Sequence, residues 1–332
     1  MSRFSDRIAI IRHKLSYIPE AVVLISFILL FLFFSFFAPH FLTALSIGNI
    51  LTFGSITAII VIGVGMLMIS GEFDLSVGSN FALASYILAL SLNAGFPVVL
   101  SILLAIMIST LLGTLNGLIV TKTNIPSFIA TLGTMLAYRG VVRAVGKGSF
   151  DSYNGPDIPL FSILNGDFSF LNNLFHVQAF RTSMVWFLIL AVIFVLILMR
   201  TKFGNWVFSV GGLPAAARAQ GVNVNFVKIM CFTITGFLVA IASVIQFSYR
   251  LSVDPLRGDG IEMIAVAASA IGGIRLTGGF GTIIGAVLGA FLLQMLDQGL
   301  VLMGIPIQVF QACVGLIIII SVISNTYLGK GS

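Results

Sequence analysis

The feature that most restricts this chain is a succession of apolar runs, most of them long enough to cross a bilayer and parted by short polar joints. A helix rises about 1.5 Å per residue and a hydrocarbon core is about 30 Å thick, so about 20 apolar residues make one crossing. Such runs extend over about Ile18–Phe37, Ile50–Ile69, Ser79–Leu92, on to about Val120, then Ser127–Ala144, Ser183–Met199 and Ile229–Gln246. Ile261–Ile274, Ile283–Leu302 and a run from Ile305-Pro306 to about Asn325 complete the series. The eighth, Ile261–Ile274, is too short for an unbroken crossing and is either topped up by its flanks or partly broken. The expected fold is an all-α polytopic membrane protein with about ten transmembrane helices, forming one membrane domain over residues 1–332. Composition agrees: 8% of residues are charged, where a soluble domain carries about 25%.

Basic residues orient the spans. Arg3, Arg7, Arg12 and Lys14 precede the first run, and no small-residue cleavage site follows it, so that run reads as an uncleaved anchor. With the N-terminus inside, Lys122, Arg200, Lys202, Arg218, Lys228, Arg275 and Lys330 fall on the same side. The segment 147–181, with Asp151, Asp157 and Asp167, falls on the other. Arg250 and Arg257 dissent, with Asp254 and Asp259 beside them. Residues 1–17 are therefore expected to be cytoplasmic, 147–181 an external loop, and 200–228 a cytoplasmic loop, with both termini cytoplasmic. The net charge of +6 reads as loops held inside rather than as a nucleic-acid surface. The halves look related. Gly113 and Gly117 sit one turn apart in span 4, as Gly285 and Gly289 do in span 9; Asn124-Ile125-Pro126 precedes span 5, as Gly304-Ile305-Pro306 precedes span 10. An odd shift of five spans turns the second copy upside down, giving two inverted five-span repeats, with chance resemblance of apolar helices as the alternative.

The stretch Val210–Lys228 is rich in small residues on the expected inner side. Pro214 suits a first helical turn and Gly221 a C-terminal stop, with Ala215, Ala216, Ala217, Arg218 and Ala219 between them. A short helix that a partner can approach closely is one reading; an ordinary inter-span loop is the other. Gly71–Ser79 also has two readings. Glu72, Asp74 and Ser76 line a gate or a water-filled mouth, or Gly71 stops one helix and Asp74 or Ser76 caps the next. Capping alone explains those residue types. Gly278 and Gly279 belong to a pathway element or, more simply, to a tight turn. Arg139 and Arg143 either snorkel to the interface, the simpler reading, or face the entry of a polar ligand. Cys231 and Cys313 both fall in apolar spans and imply neither a disulfide framework nor a metal site.

No enzyme signature is present. Three scattered histidines have no metal-ligand spacing, and Gly140–Gly148 departs from a nucleotide-binding loop in both spacing and its final residue. A transporter without a nucleotide site draws on an ion gradient or on a separate ATPase. Ion-driven carriers usually bury ionisable residues in their spans. Here only Asp297 lies clearly within one, with Glu262 at the mouth of span 8. That scarcity favours an external ATPase with the alanine-rich stretch as its docking point. A stand-alone ion-coupled carrier or channel is the alternative, and an assembly protein without transport the third.

Five ordered motifs carry a resemblance: Ile69–Ser79, Asn116–Val120, Ile125–Met135, Ala216–Val222 and Ile271–Thr282. Together they resemble the membrane permeases of ABC importers for simple sugars, of the ribose, xylose, galactose and autoinducer-2 type, over about residues 45–325. The resemblance implies two paired permeases, identical or not, two cytoplasmic ABC ATPases, and an extracytoplasmic sugar-binding protein. It makes the segment matching 212–221 a coupling helix, with Pro214, Ala215, Ala216, Ala217, Arg218 and Gly221 as its residues. It implies that ATP and magnesium sit on the partner, that this chain binds no cofactor, and that the location is a bacterial cytoplasmic membrane. Glu72-Phe73 and Leu213 depart mildly from the family's usual residues.

Overall fold

The computed structural model describes residues 20–306, 308–317 and 319. The basic anchor at Arg3–Lys14, both termini and Lys330 lie outside them. The described residues are predominantly helical. Helices α1 (Ala21–Phe37), α2 (Ala44–Ile69), α3 (Val77–Asn93), α4 (Val98–Thr123) and α5 (Ser127–Val145) come first. A two-residue strand β1 (Asp151–Ser152) and two short helices, α6 (Pro159–Asn165) and α7 (Ser169–Phe175), follow. Then come α8 (Ser183–Arg200), α9 (Lys202–Gly212), α10 (Pro214–Ala219) and α11 (Val224–Arg250). Strand β2 (Ser252–Val253), α12 (Ile261–Ile271), α13 (Ile283–Leu302) and α14 (Gln308–Ile317) complete the described chain. Six helices, α2, α4, α5, α8, α11 and α13, are long and apolar enough to cross a membrane among the described residues. This predominantly helical architecture is that of a polytopic membrane protein.

The helix starts are written in the sequence. Thr43, Thr201, Asn223 and Thr282 each use a side-chain oxygen to accept the N–H three residues on, satisfying donors that a helix leaves free at its first turn. Helix α2 is the core. Residues 58–70 are all buried, and α11, α13, α8 and α12 all lie against it. Contact is close where glycine allows it: a Cβ on Gly63 would lie 2.9 Å from the Thr235 Cα, and one on Gly54 2.7 Å from the Phe291 ring.

Both predicted glycine pairs serve helix contacts, against different neighbours. Gly113 and Gly117 face α11, where a Cβ on Gly113 would fall 2.5 Å from the Phe232 carbonyl oxygen and 3.0 Å from the Gly236 Cα. The Ser109 hydroxyl donates across the same contact to the Gly236 carbonyl at 2.9 Å. Gly285 and Gly289 instead pack on Gly272 and Ala268 of α12 and its end. The inner helices follow one pattern twice. Helix α11 packs on α4 as α2 packs on α13, and α3 touches α4 and α11 as α12 touches α13 and α2.

Segment 147–181 carries local structure. β1 pairs antiparallel with β2, joining Asp151 to Val253 and Ser152 to Ser252. Thr52 donates to the Ala179 carbonyl at 2.8 Å, and Asn165 to the Ile245 carbonyl at 2.9 Å. The short eighth span is an 11-residue helix, α12, preceded by a turn-rich segment over 254–260.

Candidate functional site

Helix α10 stands between two turns. Pro214 opens it at a position whose N–H would go unused. Gly221, with φ +84°, closes it, while Val222 donates back to the Ala217 carbonyl at 3.0 Å. Ala217 is buried, whereas Pro214, Ala215, Ala216, Arg218 and Ala219 are exposed. The outward surface is therefore flat and low, apart from Arg218. That side chain borders an open cleft shared with Thr121, Asn124, Asn223 and Asn225. The polar entry read as loop from Lys202 is helical instead, forming α9. Its start is the Thr201 cap, which the sequence reading passed over.

Immediately before α10 three backbones meet. Gly211 and Gly212 end α9, Gly71 follows α2, and Gly278 and Gly279 form the turn between α12 and α13. The Gly279 N–H donates to the Ile69 carbonyl at 2.8 Å. A Cβ on Gly279 would lie 2.5 Å from the Gly212 Cα, and one on Gly278 2.7 Å from the Gly71 Cα. A Cβ on Gly211 would overlap the Ile69 carbonyl oxygen. A side chain at Gly211, Gly278 or Gly279 would therefore collide with backbone.

The loop from Gly71 to Ser76 is covered. Glu72 is 7% exposed and pairs with Lys228, near the start of α11. Asp74, 2% exposed, accepts the N–H of Ser76 at 2.8 Å and its hydroxyl at 2.7 Å. Asn116 donates to the Ser76 oxygen at 2.8 Å and accepts from the Tyr138 hydroxyl at 3.1 Å. The N–H groups of Phe73 and Leu75 donate to Ser127 and Thr131 of α5, each at 3.1 Å. Gly71 does stop α2, with φ +86°. Ser76 stands at the head of α3 but its side chain caps nothing, because its hydroxyl is turned to Asp74. Glu72 and Asp74 face protein rather than a water-filled mouth. Leucine at Asn116 is expected to leave Tyr138 and Asp74 short of partners, and unsatisfied buried groups cost about 1–3 kcal/mol each. Thermal unfolding in detergent reads that loss.

Arg139 also turns inward. It is 8% exposed and donates to the carbonyls of Pro255 at 3.2 Å and Arg257 at 2.9 Å, so it does not snorkel; Arg143 is exposed. Its partners lie more than a hundred residues away, which no local pattern announces. Glu262, at the head of α12, lies against Gly78, at the head of α3. Asp297 sits within α13 beside Gln294, at 3.5 Å. Among the described residues no cluster of His, Cys, Asp or Glu has the arrangement of a metal site.

Residues 46–322 match the family described as branched-chain amino acid transport system / permease component. The chain belongs to this permease family. The permease is 33% identical over 308 residues to the ribose import permease protein RbsC of Haemophilus influenzae, covering 92% of each chain. It is 36% identical over 273 residues to the autoinducer 2 import system permease protein LsrC of Enterobacter sp., covering 81% of this permease and 75% of that relative. The corresponding protein of Salmonella typhi is 32% identical over 289 residues, 86% of this chain and 80% of that one. No solved structure matches the permease. The resemblance read from the motifs thus holds for the family.

Proposed function

We propose that this permease is the membrane subunit of an ATP-binding cassette importer, carrying a monosaccharide or related small polar solute. A separate cytoplasmic ATPase holds ATP and magnesium and drives it, and an extracytoplasmic binding protein delivers the cargo. The observation that carries the reading is α10, whose exposed flat surface at the α9–α11 corner suits close docking. The relatives named for ribose and autoinducer 2 support a sugar-like cargo. Pro214, Ala215, Ala216, Arg218 and Gly221 are the docking residues, with Ala217 seating the helix on the bundle. Gly278, Gly279 and Glu72 stand behind the lever, and Asp74 and Ser76 hold the α2–α3 loop.

Ten spans in two inverted repeats fit this reading, with α1–α5 as one copy and α8 with α11–α14 as the other. The twice-used packing pattern supports it, as do the short helices α3 and α12, third in each copy, whose starts meet at Gly78 and Glu262. The bacterial cytoplasmic membrane is the expected location, with α10 inside. A second permease copy fits the outer face of α5. Gly133, Ala137, Gly140 and Ala144 are exposed there, and a Cβ on either glycine would meet nothing within 4 Å. Small residues at such spacing let membrane helices approach.

Uptake of radiolabelled ribose into proteoliposomes tests the energy source. ATP-dependent uptake requiring the ATPase and the binding protein is expected. Uptake by the permease alone under a proton or sodium gradient would make it an ion-coupled carrier.

A further inference from the structure

Helix α10 is bracketed by two attachments to one short segment, Ile69–Glu72. Before the helix, Gly211 and Gly212 lie backbone against backbone on Ile69, Gly71, Gly278 and Gly279, with no side chain between. After it, Lys228 pairs with Glu72, whose loop is hydrogen-bonded to α5 through Phe73–Ser127 and Leu75–Thr131. Side chains between two helices can absorb a displacement by changing rotamer. Backbones in direct contact have no rotamer to change, so movement of one must move the other.

We propose that Gly211, Gly279 and the Glu72–Lys228 pair are positioning residues that join α10 to the α2–α3 loop, rigidly at the glycines and by charge attraction at the pair, so that a push on α10 arrives at α5. The proposal rests on the docking role given to α10. Alanine at Gly211 wedges the junction apart, and lysine at Glu72 sets two cations against each other beside it. Neither residue lies on the exposed surface of α10.

The test places a spin label at Leu132→Cys, exposed on α5 away from the stripe of small residues, in a Cys313→Ser background, in the permease co-purified with its ATPase. ATP with vanadate is expected to shift the label's spectrum in the parent. With Gly211→Ala or Glu72→Lys, the ATPase stays bound and hydrolyses ATP to within about twofold, while the shift falls about tenfold. The exchange Glu72→Lys with Lys228→Glu restores it, and the retained hydrolysis of the single variants separates the effect from a merely destabilised fold. A full shift in Gly211→Ala and Glu72→Lys overturns the proposal, as does a shift that falls only in step with hydrolysis. Should Gly211→Ala fail to fold, the charge pair and its exchange decide alone. The docking role fails separately, if Ala215→Glu with Ala216→Glu leaves the ATPase bound and coupled.

Discussion

Glutamate at both Ala215 and Ala216 is expected to abolish ATP-driven uptake while leaving the permease folded. Both positions are exposed on α10, and surface changes of this kind alter stability by about 0.5 kcal/mol or less. The cost falls on docking. A groove that accepts methyl groups would have to cover two carboxylates, and an unpaired charge pushed out of water costs several kcal/mol. Each loss of about 1.4 kcal/mol is a tenfold loss of affinity. The ATPase should therefore disappear from the purified complex, and uptake with it, while the thermal unfolding profile of the permease stays in place.

Leucine at Gly113 should do the reverse and damage the fold itself. The site holds no spare volume, because the first added carbon already falls 2.5 Å from the Phe232 carbonyl and 3.0 Å from the Gly236 Cα. Both obstacles are backbone, so no rotamer change relieves them; α4 and α11 must separate. Overpacking a core costs typically about 1–3 kcal/mol, and parting two helices places this change at or above the upper end. The Ser109–Gly236 and Thr114–Thr233 hydrogen bonds, both 2.9 Å, would open with them. Thermal unfolding in detergent should show a much larger loss for Gly113→Leu than for leucine at Gly133, where an added carbon meets nothing within its own chain.

The contrast between these two glycines shows what was legible beforehand. The pair Gly113 and Gly117 announces a close helix contact by its spacing, and the contact is there. Gly133 has the same chemistry without a neighbour in its own chain, and only the fold separates the two. Apolar length gave the main spans, and Pro214 with Gly221 gave both ends of α10, because those signals are local. Helix α9 was missed because small and polar residues dilute its pattern; the Thr201 cap was the available clue. The Glu72–Lys228 pair, the Arg139 anchorage and the glycine junction depend on residues brought together from distant segments, which periodicity within one segment cannot encode. Asp74 illustrates the limit most sharply. Its residue type fits a helix cap, yet its carboxylate holds Ser76 instead and stands in a buried cluster with Asn116 and Tyr138.

The central claim is that a separate ATPase works this permease through α10. A photoreactive side chain at Ala216, compared with one at Phe170 on α7, tests it most directly. Helix α11 starts beside α10 and, 27 residues long, runs to the region where Asn165 of α6 holds the Ile245 carbonyl, so the two probes sit at different ends of the bundle. Irradiation of the intact complex should cross-link the ATPase from Ala216 and not from Phe170. Cross-linking from Phe170 alone, or an ATPase that stays bound yet is never captured from Ala216, would contradict the account.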